Sequence, residues 1–383
     1  MKTLIRHARV VSPDLDADGA SLLLEYGRIL AVIHPGEPMP DADLIIEADG
    51  RIAMPGFFDI HSHGADGKDV CDGSPDSIRQ IARRKLDEGV TTWLPTTLTQ
   101  PRGMLEEIAG NCVAYRADPE FCRVPGLHIE GPFINRKNAG AQNPDFVRPP
   151  DLAELRRLHE ICPIRILSLA PEIPGALDLI STATLLGIVT SAAHTSATAA
   201  EMITARNAGL THLTHFGNAM TQLHSREIGV VGAGLLDDLL KLEIICDAVH
   251  LCPDMLKLVF KLVPMERLMM ITDSIAASWL GDGEGILGGC PVIVKNGIAR
   301  LKEGGALAGS TLKYNEGVKN VFEITGLPLH QIVKATSWNQ AQSLGLEGFG
   351  KLAPGFHADM VLLNDDFSVW KTWVAGSDTI FLK

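Results

Sequence analysis

The chain has 383 residues and a formal net charge of −12, with 34 Lys and Arg against 46 Asp and Glu. Its basic residues are scattered and form no run, which excludes an extended nucleic-acid surface but leaves room for a locally positive anion site. Hydrophobic residues make up 46%, no apolar run reaches transmembrane length, and seven widely spaced cysteines form no CxxC pair, so a cytoplasmic protein with reduced thiols and no membrane partner is expected.

The first fifty residues read as β-structure. "TLIRHARVVS", "SLLLEYGRILAVI" and "DLIIEADGRIAMP" are short β-rich runs divided by turn residues. After Pro55-Gly56 the texture changes to strands alternating with amphipathic stretches. Eight strand candidates follow in order: "GFFDIHSH", "TTWLPT", "VPGLHIEGP", "IRILSLAPE", "GIVTSAAHT", "LTHLTHFGN", "LEIICDAVH" and "RLMMITDS". Between the first two, "SPDSIRQIARRKLDEG" predicts a helix with Ser74 as N-cap and Gly89 as stop; "TSATAAEMITARNAG" predicts another. The link between strands six and seven is less clearly helical. Eight strand–helix units predict an α/β fold, a (β/α)8 TIM barrel.

Beyond the eighth strand, "GGCPVIVKNGIARL" reads as a hairpin about Asn296-Gly297, and helical stretches follow near 311–324 and 328–343. "ADMVLLNDDFSVWKTWVAGSDTI" is β-like again. Both ends of the chain share this texture, which predicts a small β-sandwich domain built from residues 1–53 and 346–383, beside a barrel over 54–345.

Functional groups of such barrels sit at the C-terminal strand ends. There the sequence places His61 and His63 (strand one), Glu130 (three), His194 (five), His215 (six), His250 (seven) and Asp273 (eight). His61 and His63 are two apart, so their side chains project together. Alone, the pair reads more readily as hydrogen-bonded histidines than as half of a metal site. Four strands ending in His and two in carboxylates decide the matter, because such groups are costly to bury unless a shared cation neutralises them. His128 and His212 fall short of the last strand turn and are assigned to the core.

These residues also carry a resemblance. The set resembles the amidohydrolase superfamily, and "GLHIEGPFIN", "HFGNAM", "SREIGVVGAG", "ITDSIAA" and "LAGSTL" resemble its N-acetylglucosamine-6-phosphate deacetylase family along nearly the whole chain. "WLPTTLTQP" is similar to the related N-acetylgalactosamine-6-phosphate deacetylases. The resemblance implies one or two divalent ions, with zinc the expected metal. Glu130, His194 and His215 match the ligands of the main ion, and His61 and His63 match those of a second. Asp273 matches the catalytic acid/base and a further ligand. Asn218 and Ala219 match contacts to the sugar phosphate, with Ala141 and Gln142 in the same substrate set. Arg226 and His250 match phosphate partners, Arg226 reaching across a homodimer. Leu307, Ala308 and Gly309 match a loop that closes on substrate.

The chemistry agrees with the residue types. A divalent ion makes hydroxide available near neutral pH, a carboxylate can shuttle a proton to a departing amine, and the planar fork of arginine suits a phosphate dianion. One position departs from the family pattern. In "NAGAQNP", Gln142 stands where the family has a histidine that polarises the acyl carbonyl, and glutamine cannot carry its charge. The expectation is hydrolysis of the acetamide of N-acetylglucosamine 6-phosphate. The alternatives are the galactosamine epimer, another N-acyl amino sugar, or a sugar-phosphate binder impaired through Gln142.

Overall fold

A computed structural model describes residues 1–378; the last residues of the β-like C-terminal run, 379–383, lie outside the described residues. All eight strand candidates form strands: Phe57–Ser62 (β1), Val90–Thr97 (β2), Leu127–Glu130 (β3), Ile164–Leu169 (β4), Val189–Ala192 (β5), His212–Leu213 (β6), Lys241–Ile245 (β7) and Leu268–Ile271 (β8). They pair in parallel in chain order. The ring closes between β1 and the residues just past β8, where the Asp273 N–H donates to the His61 carbonyl at 2.9 Å and the His63 N–H to the Ser274 carbonyl at 2.8 Å. Every residue of β2 is buried, as expected of a parallel strand covered on both faces.

The helices between the strands cover the outside. Helix Pro75–Leu86 starts after Ser74, but the serine side chain makes no capping bond; Pro75 at the first position leaves one fewer N–H to cap. Helix Ala199–Ala208 is closed by a capping box between Thr198 and Glu201. The weakly patterned link after β6 holds a short helix, Gly229–Leu236. The hairpin at Asn296-Gly297 is present, with both residues at positive φ, and a third strand, Gly283–Leu287, extends it. The helical stretch from 328 is two short helices, Leu329–Val333 and Asn339–Ser343, joined by a π-turn over Lys334–Trp338.

Both ends of the chain join in one mixed sheet of eight strands. Ile52–Pro55 sits at its middle, parallel to Lys2–Ser12 on one side and antiparallel to Met360–Leu363 on the other. Ile5, Val10, Leu22, Ala53, Met360 and Trp373 share its core. The sheet is tied to the barrel by Arg123 Nε to Asp359 Oδ2 at 2.6 Å and by Thr372 Oγ1 donating to the Leu86 carbonyl at 2.8 Å.

Candidate active site

Directly below its mouth the barrel interior holds a polar, hydrogen-bonded layer. His128 Nδ1 meets the Ile60 carbonyl at 2.7 Å and its Nε2 meets Ser168 Oγ at 2.7 Å; Thr214 and Ser191 continue the chain. His212 Nδ1 lies 3.0 Å from Glu243 Oε1, and its Nε2 lies 2.6 Å from Ser343 Oγ. Both histidines are thereby engaged in the floor.

Above the floor, two groups of metal-competent atoms converge. Glu130 Oε1 is 3.1 Å from the Nε2 atoms of both His194 and His215, and those two nitrogens are 3.3 Å apart. Asp273 Oδ1 is 3.3 Å from His61 Nε2 and 3.1 Å from His63 Nε2, again with the nitrogens 3.3 Å apart. Glu130 Oε2 lies 3.5 Å from His63 Nε2, so Glu130 faces both groups. All six residues are buried.

The backbone aims these groups. His194, His215 and Asp273 all have positive φ, at 45°, 36° and 52°, a conformation costly for side chains other than glycine and concentrated at functional sites. Gly309 sits against this turn, where a Cβ would come within 2.9 Å of the Asp273 carbonyl oxygen. Gly64 lets the loop after β1 pass close to Lys68 and Ala276.

The hydrogen bonds and charges fit a cation. His63 Nδ1 faces the Thr96 carbonyl at 3.1 Å and His194 Nδ1 the Asn138 carbonyl at 2.8 Å. Donation there leaves each Nε2 lone pair turned inward. The Nε2 atoms of His61 and His63, and those of His194 and His215, are each 3.3 Å apart, and two lone pairs at that distance repel unless a proton or a cation lies between them. Burial works against ionisation of Glu130, yet the surrounding imidazoles hold its carboxyl well below the usual range. The same balance holds Asp273 below its usual range, through His61 and His63. Burial disfavours a charged His63, but Asp273 and Glu130 outweigh it and push the imidazole up to about 9. A bound cation replaces such protons. The buried clusters are therefore suited to hold a metal.

The mouth opens into a cavity of about 290 Å³ lined by His63, Glu130, His194, His215 and Asp273, and further out by Ala141, Gln142, Asn218, Ala219, His250, Leu307 and Gly309. Asn218 Nδ2 donates to the His215 carbonyl at 3.2 Å, and Ala219 has φ 49°, so this turn is tightly shaped. His250 Nδ1 is 2.7 Å from Asp247 Oδ2; burial opposes its protonation, but Asp247 raises it overall. Gln142 is buried and engaged at both ends: its Nε2 donates to Glu130 Oε2 and its Oε1 accepts from the Thr99 N–H, each at 2.5 Å. Ala308 is buried behind its two neighbours rather than lining the cavity. Arg226 is exposed and does not line the cavity of its own chain.

Sequence reasoning missed a buried network behind the Asp273 turn. Lys85 Nζ lies 2.9 Å from Asp59 Oδ2, 3.2 Å from Glu88 Oε2 and 2.9 Å from Ser274 Oγ. Thr272 Oγ1 donates to Asp59 Oδ2 at 2.6 Å. Both neighbours of Asp273 are thus fixed from one ammonium group. A signal was present: Lys85 falls on the same buried helix face as Ile78, Ile81 and Ala82.

Fold and site together define an amidohydrolase: a parallel eight-stranded barrel whose strand ends gather histidines and carboxylates into buried metal-ligand clusters. The sequence model of the amidohydrolase family matches residues 52–377. The N-acetylglucosamine-6-phosphate deacetylase of Bacillus subtilis is 36% identical over 381 residues, covering 98% of this chain and 96% of that one. The N-acetylgalactosamine-6-phosphate deacetylase of Escherichia coli O157:H7 is 35% identical over 383 residues, covering 98% and 99%. Among solved structures, a variant of the Mycobacterium smegmatis N-acetyl-D-glucosamine-6-phosphate deacetylase in complex with N-acetyl-D-glucosamine-6-phosphate superposes with a TM-score of 0.92. It has 30% identity, covering 99% of both chains. The chain belongs to the N-acetylglucosamine-6-phosphate deacetylase family of amidohydrolases. No helix among the described residues is long and apolar enough to cross a membrane.

Proposed function

We propose that this chain hydrolyses the acetamide of N-acetylglucosamine 6-phosphate, giving glucosamine 6-phosphate and acetate. The observation that carries it is the pair of ligand groups meeting at Glu130 beneath a cavity that Asp273 and His250 also line. Glu130, His194 and His215 would hold one divalent ion, and His61 and His63, with Asp273, would hold a second; the nitrogen and carboxylate donors suit zinc. A divalent ion held there would supply Lewis acidity for the acyl carbonyl and a water acidic enough to give hydroxide near neutral pH. Asp273 takes the proton from the attacking water and returns it to the leaving nitrogen. His250, protonated beside Asp247, faces the 6-phosphate, and Asn218 and Ala219 orient the sugar. Ala141 and Gln142 border the acetyl group, and the 307–309 loop covers the substrate. A second copy of the chain supplies Arg226 to the phosphate in a homodimer.

The deciding experiment is acetate release by zinc-loaded protein from N-acetylglucosamine 6-phosphate and its galactosamine epimer. Turnover of the first is expected. The epimer is the second candidate, because the N-acetylgalactosamine-6-phosphate deacetylase of Escherichia coli O157:H7 matches over the full length at nearly the same identity. Binding of either sugar phosphate without turnover would assign the chain to sensing rather than catalysis. Stripping metal with a strong chelator is expected to abolish acetate release, with recovery on adding zinc, and Glu130→Gln should lower metal content at both positions.

Arg226→Ala should lower kcat/KM for the 6-phosphate by about 10–100-fold, the equivalent of a charged hydrogen bond of about 1.5–3 kcal/mol. The unphosphorylated sugar should be affected little. Equal losses on both would make Arg226 a scaffold residue. For Gln142→His a modest gain in kcat is expected, below the roughly 10²–10³ of a whole oxyanion donor. The glutamine amide already supplies one donor, and histidine cannot also serve the Thr99 N–H. An unchanged or lower kcat would make Gln142 a residue that sets the acyl or sugar preference.

A further inference from the structure

Two buried polar atoms below the proposed metal site have no hydrogen-bond partner among the described residues, and they face each other. They are His61 Nδ1 and Glu243 Oε2, 3.9 Å apart, on side chains with no exposed surface. Leaving a buried polar atom unpaired is costly. His63 and His194 settle their outer nitrogens on backbone carbonyls. His61 and His215 have no such carbonyl among the described residues; of the two, His61 has an unpartnered carboxylate oxygen facing its Nδ1, while its Nε2 is turned inward, 3.3 Å from Asp273 and 3.7 Å from Glu130.

Coordination through Nε2 puts the imidazole proton on Nδ1, and that proton needs an acceptor. His128 packs against the His61 ring, with centroids 4.6 Å apart, but both of its nitrogens are engaged. The free acceptor is Glu243 Oε2. The other Glu243 oxygen is anchored to His212, which is anchored to Ser343, so the carboxyl group is held on β7 from below. We infer that Glu243 is a positioning residue: with the ion bound, its Oε2 closes from 3.9 Å to accept the Nδ1 proton of His61 and so fixes the tautomer and ring angle that present Nε2 to the second ion. The inference carries no step of the reaction and rests on the assignment of His61 as a ligand.

The test measures metal content and affinity. Apo protein is titrated with zinc for the wild type, His61→Asn, Glu243→Gln and Glu243→Leu, with bound zinc counted by mass spectrometry. Two equivalents are expected in the wild type and one in His61→Asn. Glu243→Gln keeps an oxygen acceptor and should bind both ions. Glu243→Leu should bind the second about 10–100-fold more weakly and leave the first unchanged. Wild-type stoichiometry in His61→Asn would overturn the ligand assignment itself. Loss of the second ion in His61→Asn but two tight ions in Glu243→Leu would overturn the role of Glu243 alone. A second measurement needs no change at Glu243: nitrogen-15 spectra of zinc-loaded wild type, in which the imidazole signal removed by His61→Asn must be an Nδ1–H. An Nε2–H signal there would overturn the inference even if Glu243→Leu does not fold.

Discussion

Asp273→Asn is expected to lower kcat by about 10²–10⁴-fold while the ion held by Glu130, His194 and His215, substrate affinity and thermal stability stay near wild type. This is the range that a positioned proton donor and acceptor contributes. Asparagine keeps the shape and one oxygen toward His61 and His63, but cannot accept a proton from water or deliver it to nitrogen. The loss should appear equally in kcat and kcat/KM, because the interaction is made in the transition state. Single-turnover acetate release would check that chemistry, not product release, has slowed. Turnover within a few-fold of wild type would remove Asp273 from proton transfer.

Lys85→Met should destabilise the fold by about 3–5 kcal/mol, the cost of breaking a buried ion pair and leaving its partner charged and unpaired. Lys85 has no exposed surface. Burial works against its charge, but Asp59 and Glu88 raise its pKa overall, so it stays an ammonium group. Burial also pushes the Glu88 carboxyl up, against the pull of Lys85. Urea unfolding of the variant is the measurement. The double variant Lys85→Met with Asp59→Asn should recover part of the loss, since no unpaired carboxylate then remains at Asp59. A single variant as stable as wild type would mean that the carboxylates are neutral and the network is not ionic.

The barrel was legible because its signal is redundant: eight strands, each ending in a recognisable turn or polar residue, repeat one unit. The convergence of His61, His63, Glu130, His194, His215 and Asp273 was legible for the same reason, since alternation and strand-end position suffice to bring them together. What stayed hidden depends on contacts between distant segments. Glu243 reads as a lone acid in "KLEII", and only the register of β6 and β7 sets it beside His212 and under His61. Lys85 sits on a helix rich in arginine and lysine, where charge normally faces water. The commitment of Gln142 to both Thr99 and Glu130 follows from a loop path that no local pattern encodes. Strand Gly283–Leu287, interrupted by two glycines, carries too little β-signal to be read from its own residues.

The central strand of the small sheet has a consequence for synthesis. Ile52–Pro55 emerges from the ribosome early, but one of its two hydrogen-bonding edges waits for Met360–Leu363. The barrel's eighth strand is complete at Ile271, so the nascent chain carries an open apolar edge for roughly 90 further residues, several seconds at about 5–20 residues per second. An open edge is a template for pairing with another chain. Stalled or truncated products ending between Ile271 and Met360 should therefore be strong clients of chaperones that shield strand edges. Expression yield should depend more on translation through this interval than on the stability of the finished protein.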